Sequence, residues 1–98
     1  MPQSAQNGLA TRQATVFKAL GHPARLALVQ ALAGGERCVC ELHGGSATDL
    51  STTSRHLAVL VAAGVLTCDK RANKVFYRLA MPCVLTFTAC IAKGGGDA

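Results

Sequence analysis

The sequence predicts a mainly α-helical domain that carries one β-hairpin, in the order α-α-α-α-β-β-α. Several stretches repeat apolar side chains at helical spacing, and two short segments of strand-forming residues enclose a basic turn. Half of the 98 residues are hydrophobic, which is enough for one modest core. We therefore expect one domain over residues 10–93, between flexible tails of small and polar residues at 1–9 and 94–98.

The first two helices are separated by Gly21, where a left-handed C-cap forms easily. An apolar stripe over residues 11–20 indicates the first helix. The second begins at Pro23, because proline at the first helical position loses no intrahelical hydrogen bond, and it continues to the glycine pair at 34–35. We expect His22 to cap this helix rather than to bind a metal, because no other ligand type lies near it in sequence.

A short third helix is expected from about Cys38 to residue 43 or 44, before the segment 44–48, whose composition weakens a helix. The fourth helix is predicted at residues 52–63. Ser51 is its expected N-cap and a glycine at position 64 ends it. Its apolar face repeats at three and four residues through Leu57, Leu60 and Val61.

Two short strands, at residues 65–68 and 75–79, surround a basic turn in which Asn73 takes a positive φ. This hairpin is a wing, so the predicted fold is a winged helix-turn-helix. The last helix starts at Pro82 and is apolar on more than one side, as expected for a helix that packs on another chain. The sequence therefore predicts a homodimer formed through the first and last helices.

The formal net charge of +5 favours an anionic partner. Opposite its apolar face, the fourth helix carries hydroxyls and the fork-shaped guanidinium of Arg55, which suit the major groove of double-stranded DNA. Basic side chains of the wing add sequence-independent phosphate contacts. The predicted DNA contacts are Thr52, Thr53, Ser54, Arg55, His56, Lys70, Arg71 and Lys74. An exposed polar helix without a DNA role is the alternative.

The five cysteines, with no export signal and no apolar run long enough to span a membrane, predict reduced thiols in the cytoplasm. On a regular helix Cys38 and Cys40 would lie on nearly opposite sides. At a helix N-terminus, a distorted first turn could gather both with His43. That position also lowers a thiol pKa and favours the thiolate, which binds soft ions. Two buried apolar cysteines are the alternative.

Cys83 and Cys90 lie seven residues apart on the last helix, too far along its axis to chelate one ion by themselves. Each could complete a site begun elsewhere or meet its symmetry mate. That helix has no His, Asp or Glu, which excludes a site of carboxylates and imidazoles on it. The sequence also lacks a nucleophile-base-acid set and a phosphate-binding loop, so we predict neither an enzyme nor a permanent cofactor.

Several segments of the chain resemble the ArsR/SmtB family. They are Ala19-Leu20-Gly21-His22-Pro23-Ala24-Arg25-Leu26, Cys38-Val39-Cys40-Glu41-Leu42, Ser54-Arg55-His56-Leu57, Gly64-Val65-Leu66 and Val75-Phe76-Tyr77-Arg78-Leu79. The resemblance implies a homodimeric repressor that leaves a pseudo-palindromic operator when an ion binds. The second segment is similar to the thiol-sensing branch, which implies As(III) or Sb(III) as inducer, or alternatively Cd(II) or Pb(II), held by Cys38 and Cys40.

The chain departs from that branch in two places. Arsenite-sensing members place a third cysteine three residues after the pair, where this chain has His43. The third ligand is therefore His43, Cys83, Cys90 or an exogenous thiol. In addition, the family usually continues a helix where this chain has glycines at 44–45, which implies a looser link between the sensor and the fourth helix.

Three other functions remain open from the sequence. The same DNA-binding fold could sense thiol oxidation or persulfide by linking Cys38 or Cys40 to Cys83 or Cys90. A thiol oxidoreductase built on the Cys-x-Cys motif is the second. The third is a winged helix that binds a protein and never contacts DNA.

Overall fold

The computed structural model describes residues 3–44 and 49–94. Within these ranges five helices and three strands alternate as α1, α2, β1, α3, α4, β2, β3 and α5. The helices are α1 (Gln3–Leu20), α2 (Pro23–Ala31), α3 (Val39–Gly44), α4 (Leu50–Ala62) and α5 (Cys83–Ala92). The strands are β1 (Arg37–Cys38), β2 (Leu66–Arg71) and β3 (Lys74–Leu79). The predicted mainly α-helical fold with a β-hairpin wing is confirmed.

Helix α1 begins at Gln3, so the predicted tail over residues 1–9 is wrong from residue 3 onward. The segment after Pro2 consists largely of residues that a helix tolerates, and Gly8 alone does not stop it. The helix ends at Leu20, where the N–H of Gly21 donates to the carbonyl of Lys18 at 3.2 Å. Residues 95–98 of the expected C-terminal tail, and residues 45–48 of the segment expected to weaken the helix, lie outside the described residues.

The predicted cap of α2 is confirmed. The Nδ1 atom of His22 accepts a hydrogen bond from the N–H of Ala24 at 3.1 Å, and Pro23 occupies the first turn. Leu28, Val29 and Leu32 on this helix and its C-cap are buried. The cap leaves His22 bound to its own helix, as the sequence indicated.

Strand β1 was not predicted, because two residues are too short for any periodic pattern. Arg37 and Cys38 pair in antiparallel fashion with Tyr77 and Phe76 of β3. Cys38 is therefore in a strand, and the third helix starts one residue later, at Val39. The sheet order is β1-β3-β2, which places β3 in the middle.

Helix α4 is capped by Asp49 rather than by the predicted Ser51. The Oδ1 atom of Asp49 accepts a hydrogen bond from the N–H of Thr52 at 2.8 Å, and the helix begins at Leu50. This hydrogen bond also lowers the pKa of Asp49. A carboxylate at this position accepts a charge-assisted bond and interacts favourably with the helix dipole. Gly64, with a φ of +84°, terminates the helix as expected.

The core lies between α2, α4, the start of β2 and α5. Its most buried side chains, all less than 2 % exposed, include Val29, Leu57, Leu60, Val65, Leu66 and Val84. The predicted apolar face of α4 is therefore confirmed at Leu57 and Leu60. In the described residues no helix is both long and apolar enough to cross a membrane.

Candidate nucleic-acid interface and cysteine pair

The turn from β1 into α3 brings Cys38 and Cys40 together. Cys38 is the last residue of β1 and not yet helical, and its Sγ atom lies 2.7 Å from the Sγ of Cys40. The N–H of Cys38 donates to Oε1 of Glu41 at 3.0 Å, which caps the first turn of α3. Cys38 is 5 % exposed, whereas Cys40 lies at the surface. Both sulfurs can therefore bind one ligand that approaches from the side of Cys40.

The hydrogen bond with Cys38 raises the pKa of the Cys40 thiol above its ordinary value, and desolvation and the charge of the neighbouring sulfur act in the same direction. Lys74 and the backbone of Glu41 act against this increase. The expectation that the helix N-terminus lowers the pKa is therefore wrong for Cys40, because the adjacent sulfur outweighs the helix backbone. Cys40 keeps its proton at neutral pH.

The other expected ligands do not join this pair within one protomer. In the ranges that the structure covers, no group of three His, Cys, Asp or Glu side chains could hold a metal ion. His43 lies on α3, and its Nδ1 is buried without a hydrogen-bond partner in the described part of the chain. Cys83 and Cys90 are exposed on α5. The described residues of one protomer therefore supply no third ligand for Cys38 and Cys40, which leaves a second protomer or a ligand from solution as candidate sources.

The outer face of α4 presents part of the predicted DNA-reading set. Ser54 and Arg55 are exposed, and Thr52 is half-buried. Thr53 is 1 % exposed and points into the core, so its prediction as a DNA contact is wrong. The residue lies one position before Ser54, and the helical rotation of about 100° per residue turns its side chain inward.

His56 is bound within the protein rather than free on the surface. Its Nδ1 accepts a hydrogen bond from Nε of Arg25 at 3.2 Å, and its ring lies against His22, with ring centroids 4.5 Å apart. Burial, followed by the positive charges of His22, Arg25 and Arg55, lowers the pKa of His56. A neutral His56 therefore fixes α4 to α2. This positioning role departs from the predicted base contact.

The wing carries the predicted basic side chains on its surface. Lys70, Arg71 and Lys74 are all exposed at the tip of the β2-β3 hairpin. The guanidinium of Arg71, however, pairs with Glu36 and with Asp69 at 3.3 Å, and it lies 4.2 Å from the centroid of the Phe76 ring. Arg71 is therefore partly neutralised, which leaves Lys70 and Lys74 as the basic side chains that the wing presents most freely.

The sequence interpretation missed three residues that shape this site. Glu41 caps α3, and a signal was present, because Cys-x-x-Glu has the spacing of a capping box. Arg25 and Glu36 connect elements that are far apart in the chain, and single-sequence patterns carry no signal for such contacts.

Comparison with known proteins places this arrangement in a family. The profile described as "Bacterial regulatory protein, arsR family" matches residues 22–67. The biofilm growth-associated repressor of Agrobacterium fabrum is 41 % identical over 80 residues, which cover 82 % of this chain and 68 % of that protein. The chain belongs to the ArsR family of bacterial regulatory proteins.

Two further proteins extend this finding. The transcriptional repressor SmtB of Mycobacterium tuberculosis is 40 % identical over 65 residues, which are 66 % of this chain and 48 % of SmtB. The homodimeric winged helix-turn-helix DNA-binding domain Mb0332 of Mycobacterium bovis superimposes with a TM-score of 0.81 at 27 % identity, over 94 % of this chain and 85 % of that one. The fold is thus a winged helix-turn-helix, and this ArsR-family chain is a transcriptional regulator, not an enzyme.

Proposed function

We propose that this ArsR-family regulator is a homodimeric repressor that leaves a pseudo-palindromic operator when As(III) or Sb(III) binds Cys38 and Cys40. The convergence of the two sulfur atoms, 2.7 Å apart at the start of α3, carries this proposal. Helix α3 packs on α4, which carries the DNA-reading side chains, so a ligand at its first turn acts on the DNA-binding face.

The charge and exposure of α4 and the wing support binding to double-stranded DNA. Arg55 is free to fork onto a base edge or to contact a phosphate, and Ser54 lies beside it. Lys70 and Lys74 are exposed on the wing and supply the contacts to the phosphate backbone. This division gives α4 the specific contacts and the wing the sequence-independent ones.

An apolar surface shared by α1 and α5 supports the homodimer. Phe17 and Phe87 stack with ring centroids 5.9 Å apart, yet in the single chain they remain 61 % and 38 % exposed. Ile91, on the same helix as Phe87, is 72 % exposed. An apolar surface of this kind, on the two helices predicted to pair, is suited to a second copy.

The raised pKa of the Cys40 thiol favours As(III) as the ligand. Arsenous acid exchanges two of its hydroxyls for two thiols and releases two waters, so no proton is gained or lost. Cd(II) or Pb(II) must instead displace the proton that Cys40 retains. To release the operator about 100-fold, the ligand must favour the DNA-incompetent form by roughly 2.7 kcal/mol, which two sulfur bonds can supply.

The test is fluorescence anisotropy on a duplex selected by the protein from a random pool, with arsenite or cadmium added. We expect arsenite to release wild type but not the Cys38→Ser/Cys40→Ser variant, with an affinity that is constant between about pH 6.5 and 8. Cadmium affinity should rise at least about tenfold per pH unit over that range. If cadmium releases the duplex and arsenite does not, cadmium and not As(III) is the inducer. If the protein binds no duplex, the proposed repressor function is wrong.

A second candidate is a sensor of thiol oxidation, which the short sulfur-sulfur contact also favours. Hydrogen peroxide would take two electrons and both thiol protons from the pair, leaving an S–S bond and two waters. A persulfide would form the same bond and leave as a thiol and hydrogen sulfide. The exposed Cys83 and Cys90 are the other thiols expected to take part. Release by the oxidant, with a new disulfide seen by mass spectrometry and no release by arsenite, would select this candidate.

A further inference from the structure

The segment 36–38, just before the cysteine pair, is attached to the wing. Cys38 pairs with Phe76 and Arg37 with Tyr77 in the β1-β3 ladder. The carboxylate of Glu36 contacts Arg71 at the end of β2 and Arg78 of β3, the latter at 3.7 Å. The residues that deliver Cys38 to the sensor therefore also hold the wing.

These contacts connect the segment 36–38 to both strands of the wing. The guanidinium of Arg71 lies over the ring of Phe76, the residue that pairs with Cys38, and it also binds Glu36. The route from Cys38 to the wing thus runs through both backbone and side chains. A displacement of β1 cannot leave Arg71 and Phe76 in their present positions.

A ligand on both sulfurs disturbs β1 because Cys38 is buried. Its side chain is 5 % exposed, its N–H is bound to Glu41, and its Cα lies opposite Phe76. An atom bonded to both sulfurs is added beside a side chain that is almost fully buried in close-packed surroundings, so Cys38 must shift to accommodate it. That movement acts directly on β1 and its partner β3.

We propose that the segment Glu36-Arg37-Cys38 transmits occupation of the cysteine pair to the wing, which then withdraws its phosphate contacts from DNA. This link rests on the proposed function and adds to it a second route beside the packing of α3 on α4. Its output is electrostatic, because the wing contributes Lys70, Arg71 and Lys74 rather than base-reading side chains.

The test compares two substitutions, each of which removes one of the two carboxylates that pair with Arg71. Glu36→Gln breaks the connection between the sensor segment and the wing. Asp69→Asn removes a partner of Arg71 that lies within the wing itself, at 3.3 Å on β2. Each variant removes one negative charge next to Arg71 and raises the net charge of the chain by one unit, so a difference between them does not come from net charge.

Phenylarsine oxide is the probe, because it closes a ring on two adjacent thiols with release of one water, whichever ligand is the natural inducer. Cys40→Ser, which cannot close that ring, is the blank. The first readout needs no DNA. Tyr77, the chain's one tyrosine with no tryptophan present, pairs with Arg37, so its fluorescence reports the β1-β3 ladder. The second readout is DNA release and its dependence on salt.

We expect the probe to change Tyr77 fluorescence in wild type and Asp69→Asn, and to have little effect in Glu36→Gln. Release of DNA should fall from about 100-fold in the first two to less than about 10-fold in Glu36→Gln, with loss of free thiols equal in all three. In wild type the plot of log affinity against log salt has a negative slope. Its magnitude should become smaller by about 2 to 3 when the probe binds, because two or three phosphate contacts are lost.

The link is overturned if Glu36→Gln keeps the full fluorescence change and release, or if the salt slope of wild type stays constant. Failure of the proposed function gives a different pattern. In that case arsenite does not release wild type from DNA, but phenylarsine oxide still gives a larger response in Asp69→Asn than in Glu36→Gln. This result supports the link and rejects As(III) as the inducer.

Discussion

Ala72 has an unfavourable backbone conformation for an L-amino acid. Its φ is +51° and that of Asn73 is +69°, so both central residues of the two-residue hairpin loop lie in the left-handed region. This geometry matches the twist of a hairpin, and asparagine tolerates it, but alanine at such a position costs roughly 1 kcal/mol. The tip of the wing is therefore not optimised for stability.

Ala72→Gly should raise the free energy of unfolding by about 0.5 to 1 kcal/mol, because glycine relieves the strain at the cost of a more flexible unfolded chain. Urea unfolding followed by circular dichroism measures the change. Ala27→Gly, on the exposed side of α2, is the matched control and should lower stability by about 1 kcal/mol. If both variants are destabilised equally, the left-handed turn is refuted.

Thr53 and Ser54 are neighbours with opposite roles. Thr53 is 1 % exposed and belongs to the core, whereas Ser54 is on the outer face of α4. Thr53→Ala should lower the free energy of unfolding by about 1 to 2 kcal/mol and leave DNA affinity of the folded protein unchanged. Ser54→Ala should lower DNA affinity about tenfold without changing the melting temperature. Thermal melts and anisotropy separate the two, and a reversed pattern would place Thr53 on DNA.

Among the elements, the junction of α1, α2 and α4 is held by one arginine. Nη1 of Arg25 donates to the carbonyls of Lys18 and Ala19, each at 3.3 Å, and its Nε donates to His56. Arg25 thus connects the end of a predicted dimer helix to the helix that reads DNA. This connection requires a neutral His56, because a protonated ring has no acceptor at Nδ1.

Acidification should therefore destabilise this junction. The pKa of His56 is lower in the folded chain than in the unfolded one. As the pH falls through about 6.5, the unfolded state therefore binds more protons than the folded state, and the free energy of unfolding decreases. We expect the melting temperature to decrease from pH 7.5 to 5.5, and to decrease less in His56→Asn. Asparagine keeps an acceptor near Nδ1 but does not titrate. Equal slopes for the two proteins would contradict this account.

At the scale of the whole molecule, α1 and α5 share an exposed apolar surface that includes Phe17, Phe87 and Ile91. Ile91→Glu should shift the dimer toward monomers by at least about tenfold while the monomer stays folded, because this side chain is already 72 % exposed. Sedimentation velocity measures the change, and operator affinity should fall with it, since one dimer spans two half-sites. Leu50→Glu, 51 % exposed on α4, is the control that keeps the dimer. Equal association of both variants would move the interface elsewhere.

Much of the fold could be predicted because its signals are local. The helical spacing of Leu57 and Leu60, the proline that opens α2 and the glycine that ends α4 each act within a few residues. Asp49 shows where a local signal misled the prediction, because Ser51 was the expected cap and the carboxylate two residues earlier is the one that caps the helix. The sulfur pair was also predictable, since the first residue before a helix is free to turn its side chain toward the next turn.

The sequence by itself determined the apolar faces of the helices, the hairpin and the basic surface. Only the tertiary structure decided that Cys38 belongs to a strand, that Thr53 is buried, that His56 binds Arg25, and that Glu36 neutralises Arg71. The physical reason is range. Periodicity, caps and turns depend on residues within about one or two helical turns, whereas each of these four facts depends on a partner brought close by chain folding.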